Sequence, residues 1–272
     1  MPLSEERIET LADFALALAQ AGGAAALAHF RKRELAVTNK GAGDSGQPYD
    51  PVTAADREAE EVMRRMIAAR FPDHGVRGEE MADTKGEAAF EWVLDPIDGT
   101  RAFVTGLPTW MTLVALLHEG RVVLGVCHQP FVGESFLGTG SAAWRIDRDG
   151  ARDVLQVSAV TDLACARAGT TLPDIYRSDV QKRFIHGVRS RVRELRYDAD
   201  AYFYCMVAAG HMELAFDTEM HIFDTAALIP IVRGAGGVFC GWDGAPDALE
   251  GDVIAAANEA LLDQALKAAG LR

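Results

Sequence analysis

The stretch Glu91-Trp92-Val93-Leu94-Asp95-Pro96-Ile97-Asp98-Gly99-Thr100 constrains the fold more than any other part of the chain. An apolar run leads straight into a turn that carries two carboxylates and a threonine. Such a run reads as a buried strand, so Asp95 falls at a strand end, where sites in α/β folds concentrate. Pro96 fixes φ and gives up its N–H, and Gly99 permits a backbone turn that other residues resist. Asp95 and Asp98, three apart around such a turn, can converge on one point. Two converging anions repel unless a cation joins them, and a hard, oxygen-seeking ion such as Mg²⁺ is the simplest partner. Asp-Pro and Asp-Gly are also common turn punctuation, so the two aspartates by themselves leave a plain turn open.

The 272 residues suffice for a sizeable core, as one large domain or two compact halves. Hydrophobic residues make up 49% and mean hydropathy is +0.01, as in soluble globular chains rather than disordered ones. A net charge of −13 argues against nucleic acid and anionic membranes as partners. The cysteines, Cys127, Cys165, Cys205 and Cys240, lie far apart with no Cys-x-x-Cys pair. They read as reduced core thiols of a cytoplasmic enzyme rather than a zinc site. Glu5, Glu6 and Glu9 stand where a signal peptide would carry basic residues. The Ala-rich stretch from Leu11 to Phe30 reads as a packed amphipathic helix with Ile8, Leu11, Ala15 and Leu18 on one stripe.

Ser4 is placed to cap that first helix. A loop-like segment follows around Lys40 to Pro48, then a second helix from Thr53 with Ala55, Ala59, Val62, Met63 and Met66 inward. A short strand at Gly75 to Arg77 delivers Glu79. Met111–Leu117 and Arg121–Cys127 flank a hairpin turn, and antiparallel strands continue through Ile146. From about Ser158 the pattern alternates: helix at Asp174–Val188, strand at Val192–Leu195, helix at Ala199–Ala209, strand at Met212–Phe216. A helix from Asp224 to Arg233, strands at 238–240 and 253–256, and a closing helix complete the order. This gives two halves, an α+β half over residues 1–155 and an α/β half over 156–272.

Four blocks in order resemble the inositol monophosphatase family of metal-dependent phosphatases. They are Asp50-Pro51-Val52-Thr53-Ala54-Ala55-Asp56, Gly78-Glu79-Glu80, Trp92 through Thr100, and Asp224-Thr225-Ala226-Ala227 through Gly234-Ala235-Gly236-Gly237. The resemblance implies an α+β fold, the five-layered αβαβα sandwich, with metals in the cleft between the halves. It implies that Glu79, Asp95 and the carbonyl of Ile97 hold one Mg²⁺ and that Asp95, Asp98 and Asp224 hold a second. One ion would activate water and the other the leaving oxygen, with no covalent intermediate. Thr100 and Asp56, with Glu79, would orient the nucleophilic water. The N–H groups of Gly99 and Thr100 would hold phosphate oxygens. Glu80 would stand behind the ligands or be exposed, and Lys40 falls where the family often places a lysine near a third metal. A homodimer is likewise implied. Phe223 replaces the family's usual tryptophan before the last aspartate.

Arg101-Ala102-Phe103 followed by Thr105-Gly106-Leu107-Pro108, together with the segment from Asp200 to His211, resembles the histidinol-phosphate phosphatase branch. Histidinol phosphate carries an ammonium group, and a cationic leaving group calls for nearby carboxylates. Arg101, Asp200 and Asp217 are the expected substrate contacts, with Asp198 and Glu219 in the same segments. His211 and His221 are not expected to bind metal. The expected reaction is Mg²⁺-dependent hydrolysis of L-histidinol phosphate, a small phosphorylated metabolite. The alternatives are an inositol, sugar or nucleotide phosphate as substrate, or a non-catalytic protein that binds phosphorylated metabolites.

Overall fold

The computed structural model describes residues 3–32, 37–39 and 51–272, so Lys40 and Asp50 lie outside the described residues. The chain opens with α1 (Glu5–Leu27), whose first turn is capped by Ser4 Oγ accepting from Arg7 N at 3.3 Å. The two short strands β1 (Val37–Asn39) and β2 (Pro51–Thr53) pair antiparallel and lead into α2 (Ala54–Arg70). Then come β3 (Gly75–Gly78), β4 (Phe90–Asp98), the short helix α3 (Thr100–Thr105), β5 (Met111–His118) and β6 (Arg121–Gln129). With β7 (Glu134–Gly138), β8 (Ala143–Ile146) and β9 (Arg152–Val154) these strands form a seven-stranded sheet in sequence order. Only the β3–β4 pair in that sheet is parallel.

The second sheet is built from β10 (Arg167–Thr170), β11 (Glu194–Tyr197), β12 (Leu214–Met220), β13 (Val238–Gly241) and β14 (Gly251–Ala256), in the order β11-β10-β12-β14-β13. Helices α4 (Asp179–Arg189), α5 (Asp200–Ala208), α6 (Ile222–Thr225), α7 (Leu228–Gly234) and α8 (Glu259–Ala268) complete the chain. Helices α1 and α2 cover one face of the larger sheet, and α5 and α7 fill the space between the sheets. On the outer face of the smaller sheet lie α4 and α8. The result is the αβαβα sandwich that the sequence led us to expect.

The strands obey their period of two. Trp92 and Leu94 of β4 face the α1/α2 layer with Leu11, Leu18 and Met63, whereas Val93 faces the middle layer with Tyr204 and Ile231. In β5, Val114 and Leu116 go one way, and Leu113, Ala115 and Leu117 the other. Both faces are buried, which is why these strands read as continuous apolar runs.

Three expectations need correction. The helix expected from Asp224 to Arg233 is two helices, α6 and α7. Pro230 has no N–H to offer Ala226, and it sits within the first turn of α7, where none is needed. The helix expected from Asp174 starts at Asp179, because Ser178 and Gln181 form a reciprocal capping box there. Cys165 is exposed rather than in the core: it ends a short 3₁₀ turn whose apolar residue Leu163 faces inward in its place. Cys127, Cys205 and Cys240 are buried. In α2, Val62 and Met66 are half-buried, and Asp56, Glu60 and Ile67 join Ala55, Ala59 and Met63 on the inward face.

Candidate active site

β4 ends in an irregularity that turns two aspartates toward the same space. Asp95 pairs with Leu113 and Asp98 with Met111, so the β4–β5 register breaks across Pro96 and Ile97. Such bulges re-aim side chains, and a proline without an N–H fits there at little cost. Thr112 Oγ1 holds the Pro96 carbonyl at 2.8 Å, and Ile97 N donates to Asp95 Oδ1 at 3.0 Å. Gly99 then adopts φ 83°, which only glycine takes without strain. A side chain at Gly99 would place Cβ 2.9 Å from Asp200 Oδ2, so the turn is also closed to bulk.

Ala201 N at the start of α5 donates to Asp98 Oδ2 at 2.8 Å. Asp224 lies in the first turn of α6 and accepts from His221 N at 2.7 Å. Oxygens of Asp95, Asp98 and Asp224 thereby fall within 4.8 Å of one another. Glu79, brought in just after β3, lies in hydrogen-bonding contact with Asp95.

Burial, then Glu79, Asp98 and Asp224, push Asp95 well above the usual carboxylate range. Burial, then Asp200 and Asp224, do the same to Asp98. Asp224 is pushed up to about 8, chiefly by burial, with Glu79 and Asp200 adding to it and the His221 N–H opposing it. Four carboxylates that cannot all ionise together form a donor set suited to a divalent cation. All the donors are oxygens, so the set fits a hard ion better than a soft one.

Glu79, Asp98, Gly99, Thr100, Arg101, Asp200, Asp217 and Asp224 all border one cleft of about 470 Å³. Asp95 and Ile97 lie buried beneath its floor. Thr100 begins α3, with Gly99 rather than Thr100 at the capping position. Its hydroxyl donates to the Ile97 carbonyl at 3.1 Å rather than to Asp56. Asp56 is fully buried at the third position of α2. Its Oδ2 accepts from Thr53 N at 2.8 Å and Thr53 Oγ1 at 2.5 Å, while Oδ1 has no partner. Burial lifts Asp56 to about 6. A buried, unpartnered carboxylate oxygen is costly unless another group or water completes it.

In the same cleft lining, Asp200 is half-buried and lifted to about 6 by burial, with a Thr171 bond opposing. Asp217 is buried and lifted to about 7 by the same cause. Thr170 Oγ1, Thr171 N and Tyr204 OH donate to it at 2.9, 2.8 and 3.2 Å, so it also ties the ends of β10, β12 and α5 together. Glu219 and Arg177 stand at the rim, 3.7 Å apart. His221 borders the cleft and His211 is exposed; the metal-type cluster among the described residues contains carboxylates only.

Sequence reasoning missed Glu60, a fully buried carboxylate whose Oε2 accepts from Glu80 N at 2.8 Å. The available signal was its place one helical turn after Asp56, beside the inward Ala59.

Carboxylate oxygens gathered at sheet ends and helix starts, between two sheets, form a cluster that could hold a metal ion. The inositol monophosphatase family model matches residues 7–270, and the chain belongs to that family of metal-dependent phosphomonoesterases. It is 34% identical to the histidinol-phosphatase of Chlorobaculum parvum over 248 residues, covering 91% of this chain and 92% of that one. It is 32% identical to the inositol-1-monophosphatase of Mesorhizobium japonicum over 228 residues, covering 81% of this chain and 83% of that one. An inositol monophosphatase structure from Zymomonas mobilis superposes with a TM-score of 0.82 at 32% identity, covering 99% of this chain and all of that one.

Proposed function

We propose that the protein hydrolyses L-histidinol phosphate to L-histidinol and phosphate, with Mg²⁺ as its cation. The observation that carries the substrate is the further acidic lining of the cleft. Asp200, Asp217 and Glu219 border the cleft there, in addition to the carboxylates that would hold the ion. An ammonium-bearing leaving group matches such a lining, whereas a neutral polyol gains little from it. Asp200 and Glu219 take φ 39° and 57°, a left-handed conformation that costs non-glycine residues energy and clusters at functional sites. The name of the Chlorobaculum relative supports the same reading.

Glu79, Asp95, Asp98 and Asp224, with the Ile97 carbonyl, would hold the cation. Bound there, it supplies Lewis acidity toward water and phosphate. The Ile97 carbonyl fixes the Thr100 hydroxyl proton, so the lone pairs of that hydroxyl are left to accept from water. Asp56, buried with its Oδ1 open, would be a second acceptor for that water. The backbone N–H groups of Gly99 and Thr100 would meet phosphate oxygens, and Arg101 offers charge at the same edge of the cleft.

The test is phosphate release from L-histidinol phosphate and myo-inositol 1-phosphate, side by side, with Mg²⁺ and with EDTA. A large, chelator-sensitive preference for histidinol phosphate is expected. Preference for the inositol ester, or equal rates, overturns the substrate and keeps the chemistry. No release from any ester, with binding retained, overturns both and leaves a non-catalytic binder.

A further inference from the structure

Asp56 and Glu60 sit one turn apart on α2, and both are fully buried. Asp56 has a place in the proposed chemistry, whereas Glu60 does not border the cleft. Glu60 Oε1 accepts from Arg64 Nε at 2.7 Å, and Glu60 Oε2 accepts from Glu80 N at 2.8 Å. Arg64 spends its remaining nitrogens on the same loop: Nη1 donates to Thr84 Oγ1 at 3.2 Å and Nη2 to Met81 O at 3.1 Å. One ion pair thus holds the chain at Glu80, Met81 and Thr84, immediately after Glu79.

The residue before Glu79 is fixed by the same carboxylate. A Cβ on Gly78 would stand 2.1 Å from Glu60 Oε1, so the carboxylate occupies the space that any side chain would need. Glu79 N itself donates to Leu94 O at 3.2 Å, one residue before Asp95. Glu79 is therefore clasped from both sides, with Glu60 against Gly78 and bonded at Glu80.

We propose that Glu60 and Arg64 form a positioning pair that sets the Glu79 carboxylate against Asp95 and thereby the affinity of the site for its divalent cation. This rests on the reading of Glu79 as a ligand. A buried ion pair is a weak source of net stability, because desolvation offsets its Coulomb attraction. Its consequence here is conformational: three directed hydrogen bonds, from Glu80 N and to Met81 O and Thr84 Oγ1, fix the loop that aims one ligand.

The decisive variant is Glu60→Gln. The amide keeps size and shape but has one acceptor oxygen where two are needed. It must give up either Arg64 or the Glu80 N–H. Binding of Mn²⁺ to substrate-free protein is read by electron paramagnetic resonance, alongside the Mg²⁺ dependence of phosphate release. Outer partners of metal ligands typically set about ten- to a hundredfold in affinity. Glu60→Gln is expected to weaken Mn²⁺ binding and raise the half-saturating Mg²⁺ by that factor, with kcat at saturating Mg²⁺ within about threefold of wild type. Arg64→Lys keeps the ion pair but loses the fork to Met81 and Thr84, and a smaller weakening is expected from it. A role in folding alone would lower the unfolding midpoint and leave Mn²⁺ affinity unchanged. Wild-type Mn²⁺ affinity in folded Glu60→Gln overturns the proposal; should that variant fail to fold, wild-type affinity in Arg64→Lys does so. Glu79→Gln is the separate control: if it too binds Mn²⁺ as wild type does, the ligand reading of Glu79 falls, and the proposal with it.

Discussion

Replacing Asp224 with Asn separates what the carboxylate cluster costs the fold from what it gives the enzyme. In the metal-free protein Asp224 is lifted from 3.8 to about 8. At pH 7 its folded carboxyl keeps a proton that the unfolded chain releases. Each pKa unit is worth ~1.4 kcal/mol, so the roughly three units between the unfolded value and pH 7 amount to ~4 kcal/mol of lost stability. Asp224 meets the cleft with part of its surface, and solvent screening reduces this to ~2 kcal/mol. Asparagine is neutral in both states, and its carbonyl oxygen can accept the His221 N–H as the carboxylate does. Asp224→Asn should therefore be ~2 kcal/mol more stable than wild type in EDTA at pH 7. The sign with pH follows from the raised folded value. Wild-type stability without metal falls as pH rises from about 4 to about 8, and the variant's curve is flatter. Added Mg²⁺ reverses the order, since a cation at a hundred times its Kd adds ~2.7 kcal/mol to a protein that binds it, and the variant binds it poorly. Urea unfolding at pH 5, 7 and 8, with EDTA and with Mg²⁺, measures all of this. A variant less stable than wild type in EDTA at pH 7, or one gaining as much from Mg²⁺, refutes the reasoning.

Two further outcomes follow from local geometry. Gly99→Ala should lose ~1–3 kcal/mol in urea unfolding and much of the phosphatase activity, because a Cβ at φ 83° is strained and lands 2.9 Å from Asp200 Oδ2; wild-type stability and rate would contradict the described turn. In native protein a thiol reagent should modify Cys165 quickly and the buried Cys127, Cys205 and Cys240 only on unfolding, which mass spectrometry of labelled peptides resolves; rapid native labelling of Cys205 would contradict the packing of α5.

Much of this was legible in the sequence because the signals were local. Asp95, Pro96, Asp98 and Gly99 specify a bulge and a left-handed turn within a few residues of one another. The apolar run before them specifies a buried strand. Asp224 is far away in sequence, and only the family pattern joined it to Asp95 and Asp98. The helix breaks were misplaced where side chains compete: Gln181 caps at Ser178, and Pro230 interrupts the ladder that alanines at 226 and 227 suggest. Glu60 escaped notice because a charged residue on a helix usually reads as solvated. Its burial depends on the loop after Glu79 folding back over α2, a long-range event that helical periodicity does not encode. The engagement of Thr100 with Ile97 rather than Asp56 is likewise set by the tertiary path of the turn.

The central claim is that Asp95, Asp98 and Asp224, with Glu79, hold the cation on which phosphate release depends. The most direct measurement is anomalous diffraction from crystals grown with Mn²⁺, paired with Mn²⁺-supported phosphate release by the same preparation. The account predicts anomalous peaks among those four carboxylates, and activity that disappears together with the peaks in Asp95→Asn. An active preparation whose peaks lie elsewhere, or an Asp95→Asn variant that keeps wild-type activity, would contradict it.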